Sequence, residues 1–278
     1  VALTMTITAK ASTRIDTFQD RQPLPRFALA NLRLPRQTRA MVPVSFAPLE
    51  FAGEELLLTK SNAVYWPRER ALLVADLHLE KGSWFAQHGQ MLPPYDSRET
   101  LERIADAVKA TGARRVITLG DNFHDDAGTD RLDPHAAGML EALTRTLDWV
   151  WITGNHDENL SQDFRRAFGA AMATELEIGG IMLRHEAKPG ETRAEMSGHY
   201  HPKMRVNVQG RHIARPCAVI GYMPGTQRMI LPAFGAYTGG MDAGAPEILQ
   251  ALKPADRIDA VLPAKGKLVT FPLYRSAA

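Results

Sequence analysis

Ala71-Leu72-Leu73-Val74-Ala75-Asp76-Leu77-His78 is a short apolar run that ends on a carboxylate and an imidazole. Five apolar residues in a row, with no polar alternation, read as a strand buried on both faces. The unit recurs twice. Arg115-Val116-Ile117-Thr118-Leu119 is a second buried strand, ended by Gly120 and followed by Asp121. Trp149-Val150-Trp151-Ile152-Thr153 is a third, ended by Gly154 and followed by Asn155. Helical patterns lie between them. Ser97 is the expected N-cap of a helix running to about Thr111, with Leu101, Ile104, Ala105 and Val108 on one face and Gly112 as its stop signal. A second helix is expected over about 134–147, with Pro134 in its first turn. Asp76, Asp121 and Asn155 therefore stand just past strand C-termini, the edge at which open α/β sheets bind ligands.

After about residue 170 the pattern turns from helices to strands. Ile181-Met182-Leu183-Arg184 precedes His185, and Met204 to Ile213 reads as a hairpin about Gln209-Gly210. Cys217–Ile220, Met229–Leu231 and Lys267–Phe271 follow as further strands. An αβ half followed by a strand-rich half predicts an α/β fold of two packed sheets with helices on the outer faces.

The 278 residues suffice for one large domain or two small ones. The chain is 45% hydrophobic and 23% charged, a soluble-globular mixture, and holds no apolar run long enough for a membrane helix. A lone cysteine, Cys217, excludes intramolecular disulfides and disfavours a cysteine-based zinc site, so any metal must rest on His, Asp, Glu and Asn. That usage fits a reducing, cytoplasmic compartment. The net charge of +2 divides unevenly: residues 1–40 carry seven basic residues against Asp16 and Asp20, a net +5, which leaves −3 for the rest. The segment is open to reading as a nucleic-acid arm or an Arg-rich targeting peptide. Its low periodicity and three scattered prolines favour a basic, disordered extension over 1–40, or upstream sequence ahead of a natural start at Met41, with the folded domain over 41–278.

Five short motifs carry the chemistry: Asp76-Leu-His78, Gly120-Asp121-Asn-Phe-His124, Gly154-Asn155-His156-Asp157, His185 after a strand, and Gly198-His199-Tyr-His201. Six of the nine histidines lie in them, and His88, His135 and His212 remain as ordinary residues. Each motif alone has a structural explanation, since a strand-end Asp is usually a turn former or cap. Together, in order and with glycines that let the backbone turn, they point to metal. Two divalent cations about 3.5–4 Å apart clamp an in-line displacement at phosphorus. The pair needs a carboxylate between the cations and imidazoles around them. Asp-x-His and His-x-His spacings are expected to project both side chains from one face of a strand end.

These motifs resemble the calcineurin-like metallophosphoesterase superfamily, in family order, from about Leu73 to Pro202. The resemblance implies a four-layer α/β/β/α sandwich. It implies that Asp76, His78, Asp121 and His201 hold one metal and that Asp121, Asn155, His185 and His199 hold another, with Asp121 bridging. It implies a metal-bridging hydroxide as nucleophile, His156 as general acid or transition-state donor, and two divalent ions, Mn²⁺ first with Fe or Zn as alternatives. Protein phosphatases of the superfamily carry Asp and then Arg where this chain has His124 and Asp125, which argues against a phosphoprotein substrate. Gly-Asp-x-Phe-His resembles instead its double-strand-break repair nucleases, where that His assists the chemistry. Asp76-Leu-His-Leu-Glu80-Lys81-Gly82, with Leu231-Pro-Ala-Phe234-Gly235-Ala-Tyr237-Thr-Gly239-Gly240, is similar to the ligase-associated DNA-damage-response endonucleases of PdeM type, over most of the chain from about residue 45. The implied activity is phosphodiester hydrolysis on DNA in a ligase- and helicase-linked repair setting. The alternative is a phosphodiesterase or pyrophosphatase acting on small nucleotides or cyclic phosphodiesters.

Outside the ligand set, Lys81, Arg98, Arg184 and Lys203 lie near these motifs and are candidates for phosphate oxygens, each weighed against a solvated surface charge. Trp84 and Phe85 are candidates to stack on a base. Phe123 reads as core packing, and Tyr200 is expected to point away from the two histidines that flank it. His124 has a second reading, as a residue that orients a ligand.

Overall fold

The computed structural model describes residues 46–157 and 171–276, and the extension expected over 1–40 lies outside them. One seven-stranded sheet runs in chain order: β1 (Phe46–Phe51), β2 (Glu54–Thr59), β3 (Val64–Trp66), β4 (Ala71–Val74), β5 (Arg115–Leu119), β6 (Asp148–Ile152) and β7 (Ala171–Ala173). β1 to β4 pair antiparallel, and β4 to β7 pair parallel. The second sheet is built from β8 (Glu175–Ile178), β9 (Ile181–Arg184), β10 (Ala194–Ser197), β13 (Ala218–Met223), β14 (Thr226–Ile230), β15 (Arg257–Ala264) and β16 (Lys267–Arg275). Its spatial order is β16-β15-β13-β14-β10-β9-β8, with β10 parallel to both neighbours. β11 (Lys203–Val208) and β12 (Arg211–Pro216) form a separate hairpin about Gln209-Gly210.

Side-chain alternation explains the layering. Ala71, Leu73 and Ala75, with Ile117, Leu119 and Ile152, meet Leu183, Met196, Ile220 and Met229 in a core between the sheets. Leu72, Val74, Val116, Trp149 and Trp151 face the other way, onto α2 (Asp96–Thr111) and α4 (Pro134–Thr146) through Leu101, Ile104 and Leu140. α1 (Lys81–Gln87) and the four-residue α3 (Gly128–Arg131) extend this layer. On the outer face of the second sheet, α5 (Pro246–Ala251) buries Ile248 and Ala251 against Val219, Ile230 and Ile258. The result is the expected sandwich: two mixed sheets with helices outside each.

Two local expectations change. Ser97 is not an N-cap, because the helix begins at Asp96 after Tyr95. Its hydroxyl turns instead to the α1 loop, accepting from the Glu80 N–H at 2.8 Å and donating to Glu80 Oε1 at 2.7 Å. Asp96 likewise accepts from the Gly82 N–H. Strands β1–β3 precede the first strand read from sequence: burial alternates along β1, but Pro48 within it and Glu54-Glu55 at the start of β2 mask the pattern. Proline is tolerated there because β1 is an edge strand.

Candidate metal centre

The site forms where both sheets present strand C-termini. Asp76 and His78 follow β4, Asp121 follows β5, and Asn155 and His156 follow β6. His185 follows β9, and His199 and His201 follow β10. The side chains gather as two overlapping groups: Asp76, His78, Asp121 and His201, and Asp121, His185 and His199.

The backbone does this by a route different from strand alternation. Asp76 (φ 54°), His78 (43°), Asp121 (49°), His199 (73°) and His201 (47°) are all left-handed, as is Glu80 (64°). Each costs of order 1–3 kcal/mol for a residue other than glycine, and persists only where surroundings over-determine it. Tertiary hydrogen bonds supply that constraint. The N–H groups of Asp76, His78 and Leu79 donate to the carbonyls of Gly120, Asp121 and Asn122, and His124 N–H donates back to Leu79. The two segments thus zip together outside the sheet, with Asp76 and His78 on one side.

Close approach also needs glycine. A Cβ on Gly120 would lie 2.3 Å from His185 Nδ1, and one on Gly154 would lie 2.3 Å from the Asp121 nitrogen. Gly235 presses against the Asp76–Leu77 turn, where a Cβ would come within 2.1 Å of the Leu77 carbonyl. The Leu231–Gly240 segment is therefore a backing for the Asp76–His78 turn. Gly240 sits under His201 and Lys203, whereas Gly239 is exposed with open space around its Cα.

Asp121 lies at the centre. Its Oδ1 is 3.3 Å from His185 Nε2, and its Oδ2 is 3.7 Å from His78 Nε2, so its two oxygens address the two groups. His78 Nε2 and His201 Nε2 are 3.2 Å apart; His185 Nε2 and His199 Nδ1 are 3.1 Å apart. His201 Nε2 stands 3.4 Å from Asp76 Oδ1. Converging lone pairs of neutral imidazoles around carboxylates are what a cation requires. Burial, the largest influence, holds His78 well below the ordinary imidazole range and also lowers His199. His185 Nδ1 lies 3.0 Å from the Leu119 carbonyl, which places the proton there and leaves Nε2 free toward Asp121. These residues fit a pair of divalent cations.

Around this core, His156 is the more open. Its N–H donates to Asp121 Oδ1 at 3.2 Å, and its ring stands 5.4 Å from that of His78. Asn155 is exposed on the same turn. His124 is layered between Phe85 (6.2 Å, 14°) and His156 (5.6 Å, 19°), and burial brings its imidazole down to about 4. Trp84 meets the His124 ring edge at 4.9 Å and stacks on His88 at 4.0 Å. Phe123 is fully buried in the helix-side core, and Tyr200 packs among the apolar residues near α5 with its hydroxyl donating to Glu186.

The four basic candidates separate. Lys81 and Lys203 are near the site: the Lys81 ammonium is lowered first by burial, countered by Asp96 and Asp121, and Lys203 adds repulsion. Arg98 is exposed and pairs with Glu102 at 3.0 Å. Arg184 is neither a surface charge nor a phosphate partner. It is 4% exposed and ion-paired with Glu191 and Glu195, both at 3.3 Å.

Asp157 stands in the third motif, but the sequence assigned it no role. It accepts from the backbone N–H groups of Gly154, Asn122 and Phe123 and from Asn122 Nδ2, tying the β6 turn to the β5 turn. Burial pushes its carboxyl up to about 6 against those four donors. The sequence signal was its place three residues after the turn glycine.

Residues 69–202 match the calcineurin-like phosphoesterase family. In fold, motif order and site, the chain is similar to the calcineurin-like metallophosphoesterases, and its site is that of a metal-dependent phosphoesterase. No curated protein sequence matches it. Among solved structures, the nuclease MPE of Pseudomonas putida is similar, at 29% identity with a TM-score of 0.61, over 81% of this chain and 100% of that one.

Proposed function

We propose that this protein is a two-cation phosphodiesterase that cuts DNA, of the PdeM-like kind, acting in a cytoplasmic, ligase-associated repair setting. The observation that carries the chemistry is Asp121, whose two carboxylate oxygens face two separate histidine groups. The nuclease assignment of a structurally similar protein supports the substrate class. His124 supports it from the residues, because protein phosphatases of the family carry an acid there.

Asp76, His78, Asp121 and His201 would hold one cation, and Asp121, Asn155, His185 and His199 the other; Mn²⁺ is the proposed metal. When bound, the cations supply Lewis acidity at the phosphoryl oxygens and acidify the attacking water. The remaining work falls to the protein. His156, open beside Asp121, donates a proton or hydrogen bond toward the leaving oxygen. His124, kept neutral by burial and layered on His156, holds that ring in its working orientation and approaches the same oxygens. Lys81 and Lys203 meet the non-bridging oxygens and draw the strand into the site. Trp84 and Phe85 offer an aromatic wall to a flanking base.

The test is incubation of the Mn²⁺-loaded protein with supercoiled plasmid, single-stranded and nicked DNA, and a panel of nucleotides and cyclic phosphodiesters. Nicking or strand cleavage is expected. Nucleotide turnover with no cleavage of any DNA would reject the reading.

A further inference from the structure

The β11–β12 hairpin belongs to neither large sheet, and it starts one residue beyond the pair His201-Pro202. Residues 203–216 hold Lys203, Arg205, Arg211 and Arg215 and no acidic residue, in a chain whose net charge is only +2. Register pairing sets Lys203, Arg205 and His212 on one face and Met204, Val206, Arg211, Ile213 and Arg215 on the other. Met204 packs into the apolar cluster near α5, which roots the hairpin on the domain. Lys203 Nζ donates to the Thr238 carbonyl at 3.2 Å, and Arg205 reaches Asp242 at 3.8 Å. Beyond that root the charges go unanswered. Arg211, His212 and Arg215 are exposed, and among the described residues the guanidinium groups of Arg211 and Arg215 meet no carboxylate.

Charges on a two-stranded edge also discourage pairing with other chains, but either sign serves that purpose. Arg211 and Arg215, two exposed cations without a carboxylate on one face of an arm continuous with the metal-site loop, match a polyanion. At about 3.4 Å per residue a six-residue strand reaches roughly 20 Å. That is the rise of about six nucleotides of a duplex strand.

We infer that the Arg211–Arg215 face of the β11–β12 hairpin is a phosphate rail that holds a nucleic-acid strand outside the metal site. This rests on the phosphodiesterase reading above and adds where the strand lies. It also separates two substrate classes. A small phosphodiester never touches the rail, whereas a polynucleotide is held along it.

The test compares the Mn²⁺-loaded protein with the double variant Arg211→Thr, Arg215→Thr, both exposed strand positions at which threonine is well accommodated. Binding of a hydrolysis-resistant phosphorothioate single strand is followed by anisotropy across a salt series, and bis-p-nitrophenyl phosphate turnover is measured alongside. Two lost phosphate contacts should lower the log–log salt slope by about 1.4 and weaken affinity about 25-fold at 0.1 M salt. Turnover of the small diester should stay within twofold. Arg211→Lys, Arg215→Lys should keep most of the slope. Wild-type binding matched in slope and affinity by the threonine variant would overturn the rail alone. A wild type that binds and cuts no nucleic acid while turning over small diesters would overturn the nuclease reading, and the rail with it.

Discussion

Gly198→Ala adds one methyl group at a position where the structure leaves no room for it. The new Cβ would stand 2.7 Å from Asp76 Oδ2, 2.8 Å from Ala75 Cβ and 3.1 Å from the Leu119 carbonyl. Ala75 and Leu119 belong to the packed core between the sheets, so neither can retreat without moving its strand. Asp76 is the softer neighbour, but it is held by the His199 N–H, at 3.0 and 3.1 Å to its two oxygens. Overpacking of this kind costs about 1–3 kcal/mol. For a domain of this size each kcal/mol moves Tm by about 2–4 °C, so chelated G198A should melt about 2–12 °C below wild type. Asp76 and the loop bearing His199 must both shift, and metal affinity should fall about 10–100-fold, the usual effect of disturbing groups that orient ligands. Gly239→Ala is the internal control, because nothing lies within 4 Å of its Cβ. Thermal melts in EDTA, Mn²⁺ titration calorimetry and bis-p-nitrophenyl phosphate turnover would be run on all three proteins. A G198A protein that melts within 1 °C of wild type and binds Mn²⁺ within twofold would refute the steric reasoning.

Asp121→Asn keeps the shape but removes the shared charge, so bound metal should drop from two ions to one or fewer by elemental analysis. Turnover should fall about a hundredfold or more; an unchanged stoichiometry would contradict the bridging position. Because the site draws side chains from both sheets, cations act as a cross-link between them. Mn²⁺ at about 100 times its Kd should add ~2.7 kcal/mol, raising Tm by about 5–11 °C over the EDTA-treated protein. Glu195→Gln strips the partner from Arg228, which is fully buried and held by Glu195 and by the carbonyls of Lys188 and Lys253. Removing one side of such a pair costs about 3–5 kcal/mol, a loss of about 6–20 °C on melting. A drop under 3 °C would mean the network matters little to the fold.

The strands were legible where burial is two-sided. Arg115–Leu119 and Ile181–Arg184 take the boundaries expected of them, because nearly every residue is inside and the apolar run is unbroken. The identities of the site residues were legible for a related reason, since few other roles bring Asp and His together at successive strand ends. What gathers them was not. Asp76 and His78 read locally as the end of a strand, and their left-handed backbone is imposed by carbonyls more than forty residues away. Asp157 binds N–H groups from a turn 35 residues earlier, which leaves no periodic trace. Arg184, next to His185, looked available for phosphate because sequence does not reveal that Glu191 and Glu195 fold back over it.

The left-handed residues at 76, 78, 121, 199 and 201 set this chain's chemistry against its own durability. At such φ values glycine is the comfortable residue and asparagine the next best, and aspartate and histidine persist at a cost. A laboratory selection for thermal stability of the metal-free protein would therefore press on these positions early, and Asp121→Asn would be one of its cheapest gains. Hardened variants chosen without an activity screen would lose the catalyst while improving the scaffold.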